Sequence, residues 1–109
     1  MFGKNKKSPD LEVFTIYDSK TSSYRQPTFA INQHDLVREV INMFKDPSQA
    51  KNQYLTNAED FSIFKIGSYD KSTGKLETVD LEHVANMNDL RAMAQRDLGQ
   101  KPDLGIVST

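Results

Sequence analysis

The chain has 109 residues, 14 Lys+Arg against 15 Asp+Glu, 37% hydrophobic residues and a mean hydropathy of -0.64, which is enough to bury one core but not two. It contains no cysteine, which excludes disulfides, thiolate zinc sites, iron–sulfur clusters and cysteine nucleophiles and fits a reducing cytosol. The formal net charge of -1 excludes a uniformly basic nucleic-acid binder, but residues 1–10 and 19–58 each carry +2 while residues 59–82 carry -3, so a locally basic face is possible.

Met1 to Asp10 is polar, basic and aperiodic, and reads as a flexible arm carrying Lys4, Lys6 and Lys7. The domain is expected over residues 11–99, with a short tail at 100–109. Leu11 to Tyr17 is rich in β-branched and aromatic residues. Leu11, Val13, Thr15 and Tyr17 share one face and Glu12, Phe14 and Ile16 the other; both are largely apolar, which predicts an interior strand. Asp18 to Ser23 is a polar turn, and strand character resumes from Tyr24 to Ile31. Pro27 cannot donate to a ladder, so this second strand belongs at an edge or carries a bulge.

Asn32 is placed to cap a helix whose first turn holds Asp35. Leu36, Val40 and Phe44, with Val37 and Ile41 beside them, form one apolar stripe over residues 36–46, and Asp46-Pro47 ends it. Ser48 to Glu59 is a long polar connection anchored by Tyr54 and Leu55, with room for one short turn. Asp60 to Tyr69 is the clearest strand, followed by a hairpin loop with Gly74 at the position needing positive φ and a partner strand from Lys75 to about Asp80. Asn86 or Asn88 caps a second helix through Leu98, with Leu90, Met93, Ala94 and Leu98 on one stripe and Gly99 as its stop. The order β-β-α-β-β-α predicts a two-layer α+β domain: a small, mainly antiparallel four-stranded sheet packed by a helix. Strand order is left open.

Ordered pieces of the chain resemble the small nonstructural protein of gokushovirus-type microviruses, phages with single-stranded DNA genomes. They are Phe14-Thr15-Ile16-Tyr17-Asp18-Ser19-Lys20, Tyr24-Arg25-Gln26-Pro27-Thr28-Phe29-Ala30, Glu59-Asp60-Phe61-Ser62-Ile63-Phe64-Lys65-Ile66-Gly67 and Tyr69-Asp70-Lys71-Ser72-Thr73-Gly74-Lys75. The resemblance spans roughly residues 13–75 and leaves out the arm and the second helix. It implies a phage protein absent from the capsid that acts in viral DNA synthesis in the host cytoplasm, by binding DNA or assisting genome-strand production. It brings no established binding or catalytic residue with it.

Single-strand binding needs cations for phosphates and exposed rings for bases. The candidates are Lys4, Lys6 and Lys7 in the arm, Lys20 and Arg25 in the first hairpin, and Tyr17 and Tyr24, with Tyr69, at strand ends. Each also has an ordinary structural reading, as a solvated turn cation or a ring packed on the core edge. Ser72-Thr73-Gly74-Lys75 lacks the earlier glycine and following helix of a phosphate loop. His34 and His83 show no metal-ligand spacing, and no serine has a His-Asp partnership, so neither a metal or other cofactor nor an enzymatic activity is expected. The function expected is modest-affinity single-stranded DNA binding in phage replication. The alternative is an adaptor that recruits or inhibits a host replication protein through the second helix, and homo-oligomerisation fits either. No apolar run is long enough to span a membrane. Whether the second helix covers the sheet's other face decides whether a base-stacking surface exists.

Overall fold

The computed structural model describes residues 10–99. Strand β1 (Leu11–Asp18) is followed by two short strands, β2 (Ser23–Tyr24) and β3 (Thr28–Ala30), then helix α1 (Gln33–Lys45). Three short turns follow: a 3-10 turn at Pro47–Gln49, helix α2 (Gln53–Thr56) and a 3-10 turn at Ala58–Asp60. Strands β4 (Phe61–Asp70) and β5 (Lys75–Asn86) form a hairpin, and helix α3 (Met87–Asp97) ends the fold. The α+β class and the antiparallel sheet are as the sequence predicts, with five strands in place of four because the second strand is broken. The break falls at Arg25-Gln26-Pro27, where proline supplies no ladder donor.

The sheet order is β2-β1-β4-β5, with β3 also pairing β1 further along the same edge, and every pairing is antiparallel. Because β3 and β4 both run antiparallel to β1, they are parallel to each other with β1 between them, a split β-α-β unit in which α1 makes the crossover. Strand β5 extends six residues beyond the expected end at Asp80: Lys65 pairs with Glu82, Phe64 with His83 and Ile63 with Ala85. Exposed charged residues at 77, 80 and 82 mask the strand in the sequence, since an edge strand with register shifts does not alternate cleanly.

Local chemistry accounts for the helix ends. The Asn32 side chain accepts from the Asp35 N–H at 2.7 Å, and Asp35 and Lys45 suit the two ends of the α1 dipole. Asp46 closes α1 and caps the next turn by accepting from the Ser48 N–H at 2.9 Å. The N-terminus of α1 is tied to the sheet through Glu12, which accepts from the Gln33 N–H at 3.0 Å and pairs with Lys65 at 3.2 Å. At the start of α3, Asn86 makes no side-chain cap; its carboxamide oxygen instead meets Ser62 Oγ and His83 Nε2. Gly74 has φ of +74° in the β4–β5 turn, as that turn requires.

Both long helices lie on the same face of the sheet. Phe14 and Ile63 from the strands meet Phe44 of α1 and Met87, Leu90 and Ala94 of α3 in one core, joined by Ala58 and Phe61. Of the apolar residues of α3, Met87, Leu90 and Ala94 enter the core, whereas Met93 and Leu98 are 39% and 49% exposed. The connection between α1 and β4 is also fastened to this layer, with Tyr54 edge-on to Phe61 at 4.8 Å and Arg91 of α3 donating to the Leu55 carbonyl at 3.0 Å.

Phe14 is fully buried, whereas Leu36 is only half-buried. Phe14→Ala is therefore expected to cost about 3–5 kcal/mol of folding free energy, and Leu36→Ala clearly less. Urea denaturation of the two variants checks the ranking.

Candidate functional site

The alternation of β1 divides the sheet. Glu12, Phe14, Ile16 and Asp18 face the helices, and Leu11, Val13, Thr15 and Tyr17 face the other way. The register carries that second face across the neighbouring strands: Tyr17 lies opposite Tyr24 and Ser62, Val13 opposite Phe29 and Gly67, Thr15 opposite Phe64, and Leu11 opposite Tyr69. On β5 it continues to His83 opposite Phe64 and Leu76 opposite Tyr69.

This open face carries two groups of rings. In the first, Tyr17 and Tyr24 have centroids 4.8 Å apart, Tyr24 meets Phe64 edge-on at 6.1 Å, and Phe64 meets His83 edge-on at 5.4 Å. The row therefore crosses the whole sheet. In the second, Phe29 and Tyr69 meet edge-on at 5.8 Å. Tyr24 and Phe29 are each 48% exposed, so these rings present surface to solvent rather than filling a core. Beneath the first row, the buried Thr15 hydroxyl donates to the Arg25 carbonyl at 2.6 Å, which ties β1 to the chain just after Tyr24.

The candidate cations divide differently. Lys20 is exposed in the β1–β2 turn, 3.9 Å from Asp60. Lys71 and Lys75 lie at the opposite end of the sheet, in and beside the β4–β5 turn with Asp10 and Asp70 near them, so lysines stand at both ends of the rings. The Lys71 N–H donates to the Asp10 carboxylate at 2.6 Å, which places the start of the described chain at that same end. Lys4, Lys6 and Lys7 lie outside the described residues. Arg25 is committed elsewhere: its guanidinium pairs with Asp18 at 3.2 Å and stands over the Tyr54 and Phe61 rings at 5.7 and 5.4 Å. That holds it toward the helix layer, away from the aromatic row. Tyr17 and Tyr24 are thus brought together, while Lys20 stands at one end and Arg25 apart from them.

Phe64 and His83 are members of the row that the sequence reading missed. Phe64 was legible in principle, since it alternates with the core residues Phe61 and Ile63. His83 was not, because the composition from Glu77 to Glu82 carries no sign that the strand runs on past Asp80. Among the described residues, no group of three or more His, Asp or Glu side chains is placed to hold a metal ion, and no helix is long and apolar enough to cross a membrane.

Burial pushes the Asp18 carboxyl up, but the N–H groups of Lys20 and Thr21 and the Arg25 guanidinium outweigh it and hold the group below its ordinary value of 3.8. The stability it contributes is therefore present above that ordinary value and is lost as pH falls through the lowered folded value. Urea denaturation between pH 7 and pH 2 is expected to show a shallower acid-side loss in Asp18→Asn than in the unaltered chain.

The family described as phage ORF5 protein matches residues 11–90, from the start of β1 into the first turn of α3. No curated protein and no solved structure matches the chain.

Proposed function

We propose that this chain, which belongs to the phage ORF5 protein family, binds single-stranded DNA across the open face of its sheet and acts in phage genome replication. The observation that carries the reading is the uncovered aromatic row: α1 and α3 share the other face, so Tyr17, Tyr24, Phe64 and His83 present ring surface to solvent. Nucleobases stack on such rings whatever their sequence, at about 1–3 kcal/mol per base by alanine substitution. A duplex keeps its base faces stacked inside, so this surface selects unpaired strands. The two ring groups lie four β1 residues apart, about 14 Å at ~3.4 Å per residue, a span for a few nucleotides. Phosphates at the two ends meet Lys20 and Lys71 with Lys75, and Lys4, Lys6 and Lys7 add further charge. The resemblance to the microvirus nonstructural protein supports the same role, in the host cytoplasm and without catalysis.

Fluorescence anisotropy of a labelled single-stranded oligonucleotide tests the reading. Tyr24→Ala is expected to weaken binding by roughly 5-fold or more with little change in melting temperature, since that ring is exposed. With about four phosphates neutralised, affinity should fall as roughly the third power of salt concentration. Lys6→Glu with Lys7→Glu should lower both affinity and salt slope without altering stability. Absence of binding at low salt, or indifference to Tyr24→Ala, would overturn the proposal.

One observation favours an adaptor, acting through the sheet edge rather than through the second helix. The outer edge of β5 pairs with no strand among the described residues, and it combines exposed Leu76, Val79 and Leu81 with Glu77, Asp80 and Glu82. An acidic, partly apolar edge repels DNA and suits strand addition by a basic segment of another protein. On that reading Val79→Lys would abolish partner capture and leave oligonucleotide binding intact.

A further inference from the structure

Among the described residues, permanent positive charge stands at the two ends of the open face and not in its middle. Lys65 of β4 belongs to the helix side, where it pairs with Glu12 at 3.2 Å, and Arg25 is held by Asp18 at 3.2 Å. Between the two ends, His83 is the one open-face residue brought in by the strand register that can carry a positive charge.

The His83 ring is exposed and closes the aromatic row on β5, edge-on to Phe64 with centroids 5.4 Å apart. Its Nε2 lies 2.9 Å from the Asn86 carboxamide oxygen, which also accepts from Ser62 Oγ at 2.8 Å. That oxygen only accepts, so Nε2 carries a hydrogen and the neutral ring keeps its lone pair on Nδ1. Nδ1 has no hydrogen-bond partner among the described residues. One nitrogen thus fixes the ring and the other is unclaimed.

A histidine changes charge between pH 5 and 8. Protonation turns Nδ1 from an acceptor into a donor and leaves the Nε2 hydrogen bond to Asn86 in place. A strand stacked on Tyr17, Tyr24 and Phe64 carries phosphates along the same path. Imidazolium meets such an oxyanion with a charge-assisted hydrogen bond, whereas the neutral ring turns a lone pair to it. Few other charges lie close. Asp80 and Glu82 flank His83 on β5, with Glu82 opposite Lys65; β4 offers the uncharged Ser62 and Phe64, and α3 has Asp89 in its first turn. These carboxylates also lose charge toward acid pH, so only substitution of His83 itself isolates its share.

We propose that the His83 imidazolium pairs with a phosphate of the bound strand, so that single-stranded DNA binds more tightly as pH falls from 8 to 5.5. The inference rests on the single-stranded DNA reading above, to which it adds a phosphate contact in the middle of the face.

Anisotropy of a labelled thymidine octamer with the full chain, at pH 8 and pH 5.5 over a range of salt, tests it; thymine neither gains nor loses a proton in that interval. Affinity is expected to rise roughly two- to five-fold at pH 5.5, and the salt slope to steepen by about 0.7, the value for one further phosphate neutralised on a single strand. His83→Phe keeps a ring beside Phe64 but takes up no proton, and should lose the slope change and most of the affinity gain. His34→Gln removes the other histidine, on α1, and should lose neither. Circular dichroism melting at both pH values establishes that His83→Phe folds; if it does not, His83→Gln, which keeps a donor for Asn86, takes its place. A slope that does not change with pH, or a response as large in the folded His83 variant, would overturn the phosphate contact while the stacking reading stands. Absence of binding at both pH values would overturn both.

Discussion

The two-faced character of β1 is the constraint on which the rest depends. This strand lies between β2 and β3 on one side and β4 on the other, so its alternation sets the faces of the whole sheet. Phe14 and Ile16 require an apolar cover, and α1 supplies it because the crossover from β3 to β4 passes over that side. The end of β5 then delivers α3 onto the same side, where Met87 and Leu90 complete the core. Two polar anchors at opposite ends of β1 reinforce the choice: Glu12 holds the start of α1, and Asp18 holds Arg25 over Tyr54 and Phe61. Shifting β1 by one residue would turn Glu12, Phe14 and Asp18 onto the open face and Thr15 and Tyr17 toward the core.

With the helices committed to one side, the other side is left to its own residues, and their chemistry is uneven. The face is rich in rings and poor in charge, with cations only at its ends. Electrostatic attraction through so few lysines is steeply screened by salt, whereas stacking is not. A ligand held here owes most of its binding to ring contact. That fits a chain of net charge -1 with an acidic β5 better than a phosphate-tracking groove would: stacking needs contact with the rings, not a favourable field over the whole domain.

Much of the architecture was legible because local signals agreed with one another. The Asn32 cap, the apolar stripe and Pro47 bounded α1 to within a residue or so; the Val13–Tyr17 run gave an interior strand; Pro27 gave an edge. The losses have physical causes. Strand β5 borrows its order from pairing with β4 rather than from its own composition, so its second half was invisible. Arg25 looked like a free turn cation because nothing local in the sequence shows that Asp18, seven residues back, and two rings, 29 and 36 residues ahead, converge on it. The aromatic row itself required the register: Tyr17, Tyr24, Phe64 and His83 are neighbours only once β1, β2, β4 and β5 are aligned.

The family match covers the open face of the sheet and stops short of the N-terminal lysines. Residues 11–90 include every ring of the open face and the Met87 and Leu90 side chains that keep α3 on the far side. They exclude Lys4, Lys6 and Lys7. The frame that leaves one sheet face uncovered therefore falls within the matched region. If rings carry the contact, the matched region is sufficient in kind, and the charge of Lys4, Lys6 and Lys7 adjusts strength and salt response. If the arm carried the contact alone, the one-sided packing of the helices would serve only to expose half-buried rings to water, which costs stability and returns nothing.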